Sequence, residues 1–239
     1  MPNTNLNDTN NETALTLTGN VIGQNLTAEK FNALDDLIQK LGDRSTELQP
    51  EEKTAAIEVV EDWTKSVTSR IQENATRAAN MLHFLSGRTI GGAFLTENIE
   101  MFHEVIGDTP EYLNYVAAVE ELEMLEQDRP IPIPVSPAMT VTQAEQTEIE
   151  NHAADTKFER KILAAEYKVN RAVKAYIQSL NSMPAIQTVK ANLTTYKRKA
   201  TRMANDCRDK GARAKLNIAI SDKETRSILQ DMMDFTKAI

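Results

Sequence analysis

Residues 50–86 read PEEKTAAIEVVEDWTKSVTSRIQENATRAANMLHFLS. Pro50 suits the first helical position, where its missing N–H is no loss, and Glu51 and Glu52 sit at the positive end of the helix dipole. Neither proline nor glycine follows until Gly87. The apolar positions Ile57, Val60, Val67, Ile71, Ala78, Met81 and Leu85, with Thr64 and Asn74 among them, recur at alternating steps of three and four residues. That period is helical rather than two, so it selects helix over strand and gives the helix one inward stripe. At 1.5 Å per residue the segment spans roughly 55 Å. Thr64 and Asn74 lower the stability of such a seam and can fix its register or the number of its partners.

A stripe of the same spacing, Ile186, Val189, Leu193, Tyr196, Ala200, Met203 and Cys207, follows the restart at Ser182-Met183-Pro184. The same signals predict further helices around these two. Thr27 caps a helix over 28–41 with Phe31, Leu34, Leu37, Ile38 and Leu41 on one face and Gly42 as terminator; Thr96 caps another to Ile106; Thr109 and Pro110 open one that reaches Asp128. Thr142-Gln-Ala-Glu145 reads as a capping box for a helix to about Ser182, with an apolar stripe at Phe158, Ile162, Ala165, Val169, Ala172 and Tyr176. Ser221-Asp-Lys-Glu224 reads as a second box, for a closing helix with Ile228, Leu229, Met232 and Phe235 on one side. No segment alternates as a strand would. The expected fold is all-α, long heptad-patterned helices in an elongated bundle, and whether they pair within or between chains is left open.

Composition agrees. Aromatics make up 5% of 239 residues and glycines number 8, a poor supply for sandwich, barrel or dinucleotide folds. One cysteine, Cys207, excludes an internal disulfide framework and fits a reducing, cytoplasmic compartment, or the interior of a particle if the chain is viral. The first residues lack the basic and apolar regions of a secretory signal, and no window has the roughly 18 apolar residues of a membrane span.

Charge divides the chain. Up to Arg129 there are 9 basic and 23 acidic residues; from Pro130 onward, 18 basic and 12 acidic. The seam, Arg129-Pro130-Ile131-Pro132-Ile133-Pro134-Val135-Ser136-Pro137, must be extended or polyproline II. It predicts either a stiff spacer between two helical regions, the favoured reading, or a crossover strap inside one bundle. The domain reading is therefore a polar Asn/Thr-rich arm over 1–26, an acidic helical region over 27–128, a Pro-rich spacer over 129–141 and a basic helical region over 142–239. The arm is expected to be unordered unless laid on a partner through Leu15, Leu17, Val21 and Ile22. The acidic residues ending the 110–128 helix, Glu120, Glu121, Glu123, Glu126 and Asp128, occupy the end where the dipole prefers cations, so something basic should lie near them.

No phosphate loop, nucleophile elbow or His-Glu-x-x-His occurs. Glu100-x-x-His103 has the spacing used in di-iron bundles, but the second copy such a site needs is missing, so no catalytic, metal or cofactor residue is expected. Cys207, on a seam, reads as a buried small hydrophobe. Residues 157–215 hold 15 basic against 4 acidic residues. Lys190, Lys197, Arg198, Lys199, Arg202, Arg208, Lys210, Arg213 and Lys215 are candidates for contact with an acidic protein partner or a polyanion. Their scatter around the helix and the absence of a base-reading module favour the acidic partner over nucleic acid.

The function this predicts is a non-enzymatic structural or adaptor subunit whose partners are other protein subunits, in a homo-oligomer or a hetero-assembly. The alternative is an accessory protein that binds nucleic-acid phosphates through residues 157–215. In general character the chain resembles the small helical proteins of tailed-phage particles, such as neck, tail or internal ejection components.

Overall fold

The computed structural model describes residues 6–22, 32–42, 48–87, 93–220 and 223–237. Among these residues the chain is all-α, with eight helices and no strand: α1 (Leu6–Ile22), α2 (Asn32–Leu41), α3 (Pro50–Leu85), α4 (Ala93–Ile106), α5 (Pro110–Gln127), α6 (Val141–Ser182), α7 (Pro184–Ile220) and α8 (Thr225–Lys237). The helix ends follow local chemistry. Gly42 and Gly107 take positive φ and return their N–H groups to Ile38 and His103, closing α2 and α4. Thr109 accepts from Tyr112 N–H ahead of Pro110, as expected. Two expected starts differ. Thr140, not Thr142, caps α6, and Gln143 reciprocates; both spacings fit a capping box, and the last helix-breaking proline is Pro137, so the helix runs back two residues further. Thr96 lies inside α4, which begins at Ala93. The Ser221 cap falls outside the described residues, as do Thr27, Phe31 and Gly91-Gly92.

Two compact units result: residues Met1–Phe84 with Ala185–Ile239, and residues Leu85–Pro184. The first is built on α3 and α7, which run antiparallel. The order of cross-contacts shows it: Lys53 reaches Ala219 O, Glu61 pairs with Lys215, and Thr68 donates to Cys207 Sγ. Around them a core gathers Leu34, Leu37, Ile38 and Leu41 of α2, Val60, Trp63, Val67 and Ile71 of α3, Ala200, Ala204, Cys207, Ala214 and Ile218 of α7, and Leu229 and Met232 of α8. Of the seam positions, Met81, Leu85, Ile186, Val189 and Leu193 are also buried, whereas Ile57, Tyr196 and Met203 are half-buried. Trp63, which the seam pattern did not include, is buried and donates its indole N–H to Thr236.

Residues 6–22 of the amino-terminal arm form α1, which packs on its own chain. Thr16 and Thr18 bond back to the carbonyls of Glu12 and Ala14, which removes their competition with the helix. Ala14, Leu17 and Val21 are buried, Leu15 points to solvent, and Asn192 of α7 donates to Thr18. Packing of a three-residue stripe thus overrides an unfavourable composition.

In the second unit α5 and α6 form an antiparallel hairpin, and residues 129–140 lie wholly inside this unit rather than between the two. The strap is pinned along α6. Arg129 pairs with Asp155 and stacks over Phe158, and the backbone N–H and C=O of Ile133 are both held by the Asn151 side chain, at 2.8 and 2.9 Å. The anticipated partner of the acidic α5 end includes Lys168, which pairs with Glu121.

One glycine sets the α3–α7 spacing. A β-carbon on Gly211 would fall well inside van der Waals contact with Thr64 Oγ1 and lie 3.2 Å from its Cβ and Cγ2. Alanine is intrinsically the better helix former by about 1 kcal/mol, so the sign of the effect reports the packing. Gly211→Ala is expected to cost about 1–3 kcal/mol in urea unfolding, and Thr64→Ala in the same chain to recover most of it. A stabilised G211A protein would mean that the helices are further apart.

Candidate interaction surfaces

The nine basic candidates lie on α7, where Ile186, Val189, Leu193, Ala200, Ala204, Cys207, Gly211, Ala214 and Ile218 mark the buried side. Successive residues turn by about 100°, which places Arg198, Lys199, Arg202 and Arg213 on the side facing away from the core; all four are exposed. Asp206 and Asp209 interrupt that same side. Lys197 and Arg208 are exposed too, but border the groove between α7 and the α3 residues Ile71, Gln72, Ala75 and Thr76. Lys210 and Lys215 are half-buried and paired with Asp231 and Glu61, and Lys190 is half-buried. The structure thus brings four of the nine together as an outward group and commits two to ion pairs within their own unit.

Whole-unit charge sharpens the contrast. The first unit holds 19 basic and 19 acidic residues, the second 8 basic and 16 acidic, so the excess negative charge resides entirely in the second. Folding has joined the basic α7 to the acidic amino-terminal helices, and the unit that carries the basic candidates is neutral.

The second unit displays apolar groups as well. No α5 side chain is fully buried, and none in α6 precedes Ala165. The unit's core sits toward the other end of the hairpin, in Ile99 and Phe102 of α4 with Val173, Tyr176, Ile177 and Leu180 of α6. Leu113, Met124, Ile149, Leu163 and Tyr167 are exposed along the hairpin, and Ile131, Ile133, Val135 and Val141 on or beside the strap, Ile131 at 91%. Spacing alone hides these groups, because a stripe pattern identifies the inward face without saying whether the opposite one is covered.

Groups with possible chemistry are few. His103 stacks on Tyr112 with ring centroids 3.8 Å apart, and its Nδ1 lies 3.6 Å from Asp108. Glu100 joins no ligand set: among the described residues no group of three or more His, Cys, Asp or Glu side chains could hold a metal ion. Cys207 is buried between Thr64 and Thr68; burial pushes its thiol pKa up, partly offset by the Thr68 hydroxyl and by Arg208. Such a thiol is a poor nucleophile. Among the described residues no helix is long and apolar enough to cross a membrane. Comparison with protein-family models, curated proteins and solved structures returned no match.

Tyr176 is fully buried beside Tyr112, and its hydroxyl has no hydrogen-bond partner among the described residues. Burial first, and the Tyr112 phenol second, push its pKa above the ordinary 10.0. The unfolded chain therefore ionises first as pH rises, and the stability present below pH 10 is lost in stronger alkali; burial acts in the same direction on Tyr115, Tyr196 and Cys207. Tyr176→Phe should leave stability at pH 7 unchanged or raised by up to about 1–2 kcal/mol, and should reduce the loss on going to alkaline pH. Urea unfolding at both pH values checks this. A loss of more than about 1 kcal/mol at pH 7 would show that the hydroxyl is bonded.

Proposed function

We propose that the chain is a non-enzymatic structural or adaptor subunit of a larger protein assembly. The observation that carries this reading is the α5–α6 hairpin, whose distal part pairs two helices over a thin contact and leaves apolar side chains on its outer surfaces. Two helices alone bury little, and an exposed apolar surface on a rigid element is the ordinary mark of a contact site. Among the described residues the buried thiol is a poor nucleophile and no group of His, Cys, Asp or Glu side chains could hold a metal ion, so the reading needs no reaction centre. The excess acid of the second unit gives the subunit a polarity that orients it against basic neighbours. The resemblance in general character to neck, tail or internal ejection proteins of tailed-phage particles makes incorporation into a virion the specific form of this proposal.

The outward group Arg198, Lys199, Arg202 and Arg213 favours a second reading, a nucleic-acid-associated accessory protein acting through phosphate contacts. Asp206 and Asp209 on the same side and the neutrality of the unit weigh against it.

Velocity sedimentation of an extract of the source, with and without nuclease, separates the two. A structural subunit travels with a large particle at fixed stoichiometry and stays there after nuclease and at raised salt. Release by nuclease or by moderate salt supports the accessory reading, and a 26.7 kDa species at the top of every gradient overturns both.

A further inference from the structure

Helix α6 has two apolar faces. Phe158, Ile162, Ala165, Val169 and Tyr176 face inward. On the opposite side lie Ile149, Ala153, Thr156, Arg160, Leu163 and Tyr167, separated by steps of four, three, four, three and four residues. Ile149 and Leu163 are each 62% exposed and Tyr167 71%. Single exposed apolar residues need no explanation, but three on one side of one helix at seam spacing do.

The charges of α6 identify what covers that side. From Val141 to Asp155 the helix carries Glu145, Glu148, Glu150 and Asp155 and no basic residue. From Lys157 to Lys174 it carries six basic residues and only Glu159 and Glu166 as acids. Among the described residues only Asp155 and Lys168 of this set form ion pairs, with Arg129 and Glu121. A helix acidic in one half and basic in the other complements a copy of itself laid antiparallel; laid parallel, it sets acid on acid and base on base.

We infer that the outward side of α6 docks α6 of a second copy of this chain, antiparallel about a two-fold axis near residue 158. In that register Ile149 meets Tyr167 of the second copy and Ala153 meets Leu163, a large side chain against a small one, while each acidic segment runs beside a basic one. The contact is isologous, so each copy uses the same patch once and the pair closes. The inference rests on the assembly reading above, for which it names one partner. The face from Ile149 to Tyr167 covers about 28 Å of a helix about 10 Å across, on the order of 300 Å2 and so below the roughly 800 Å2 per partner of a standard interface, and micromolar, salt-sensitive association is expected.

The test uses the full chain, by sedimentation equilibrium from about 1 to about 100 µM in low and high salt, together with disulfide trapping. The mass should rise from one chain toward two over that range, less so in high salt. The pair Leu163→Glu and Tyr167→Glu should hold the protein at one chain with its circular dichroism unchanged. An equimolar mixture of Ile149→Cys and Tyr167→Cys proteins should cross-link between the two variants, and Ile149→Cys alone should not link to itself. Undiminished association of the glutamate variant, self-linking of I149C, or a one-chain mass throughout would overturn the inference. Particle sedimentation is a separate measurement: a monomer that still travels with the particle defeats the two-fold contact and leaves the assembly reading standing.

Discussion

The close approach of α3 and α7 at Gly211 is the constraint on which the first unit depends. With no β-carbon there, Thr64 can lie against the α7 backbone while its hydroxyl remains bonded to Val60 O. One turn earlier along α7, Cys207 is small enough to fit between Thr64 O and the Thr68 hydroxyl, so polar α3 groups at the contact are partly satisfied across it. Larger side chains resume on either side, Val60 and Ile218 at one end and Ile71 at the other, within one core that α2 and α8 complete. Thr64 in the seam is therefore not simply a weak point. It is matched to a glycine that an isolated helix would disfavour, and the match picks one axial register for two helices whose aliphatic stripes alone would tolerate several.

Antiparallel register also governs charge. It sets Glu61 beside Lys215, and α8 adds Asp231 beside Lys210. These exposed or half-exposed pairs contribute little stability individually. Their larger effect is on what the surface presents: the basic run that stands out in the linear sequence becomes part of a neutral unit, and the negative excess lies in residues 85–184. A polyanion approaching α7 meets arginines interspersed with aspartates on a body of no net charge, which is a weak lure by the standards of phosphate binding.

Local features were legible in the sequence and groupings were not. Helix type, the stops at Gly42 and Gly107, the start at Pro110 and most of the inward residues of α3 and α7 follow from periodicity and capping, which depend only on near neighbours in the chain, whereas the buried Val173, Ile177 and Leu180 of α6 lie outside the stripe that its sequence suggested. The α6 cap lay two residues from the expected one because two overlapping Thr-x-x-Gln/Glu signals compete and only the observed backbone decides between them. The arm was misleading in composition: three buried apolar side chains and two back-bonded threonines order α1 against residues some 170 positions away. Likewise the proline run marks an interruption of helix, but whether an interruption divides bodies or turns a hairpin depends on what packs beside it. Asn151, Asp155 and Phe158 clamp the strap, and nothing in their local spacing announces it. The same limit applies to the candidate surface, since the second α6 stripe obeys the same spacing as the first and only exposure in the folded chain separates them.

The distal hairpin is where sequence, order and function meet. Fixing a residue's backbone costs about 1–2 kcal/mol, and from Val141 to Ala164 α6 has no fully buried side chain to offset it. What remains is local: the Thr140–Gln143 box, the Gln146–Glu150 bond one turn apart, and the two-pronged Asn151 clamp on the strap. Each such feature contributes a fraction of a kilocalorie to about one, enough to bias a helix without giving it the stability of a packed one. A self-complementary charge pattern on this particular segment is then physically consistent, because a covering partner adds burial where the chain itself supplies least. The inward stripe holds the hairpin in shape, the strap fixes its turn, and the outer side of α6 keeps apolar groups that no described residue covers.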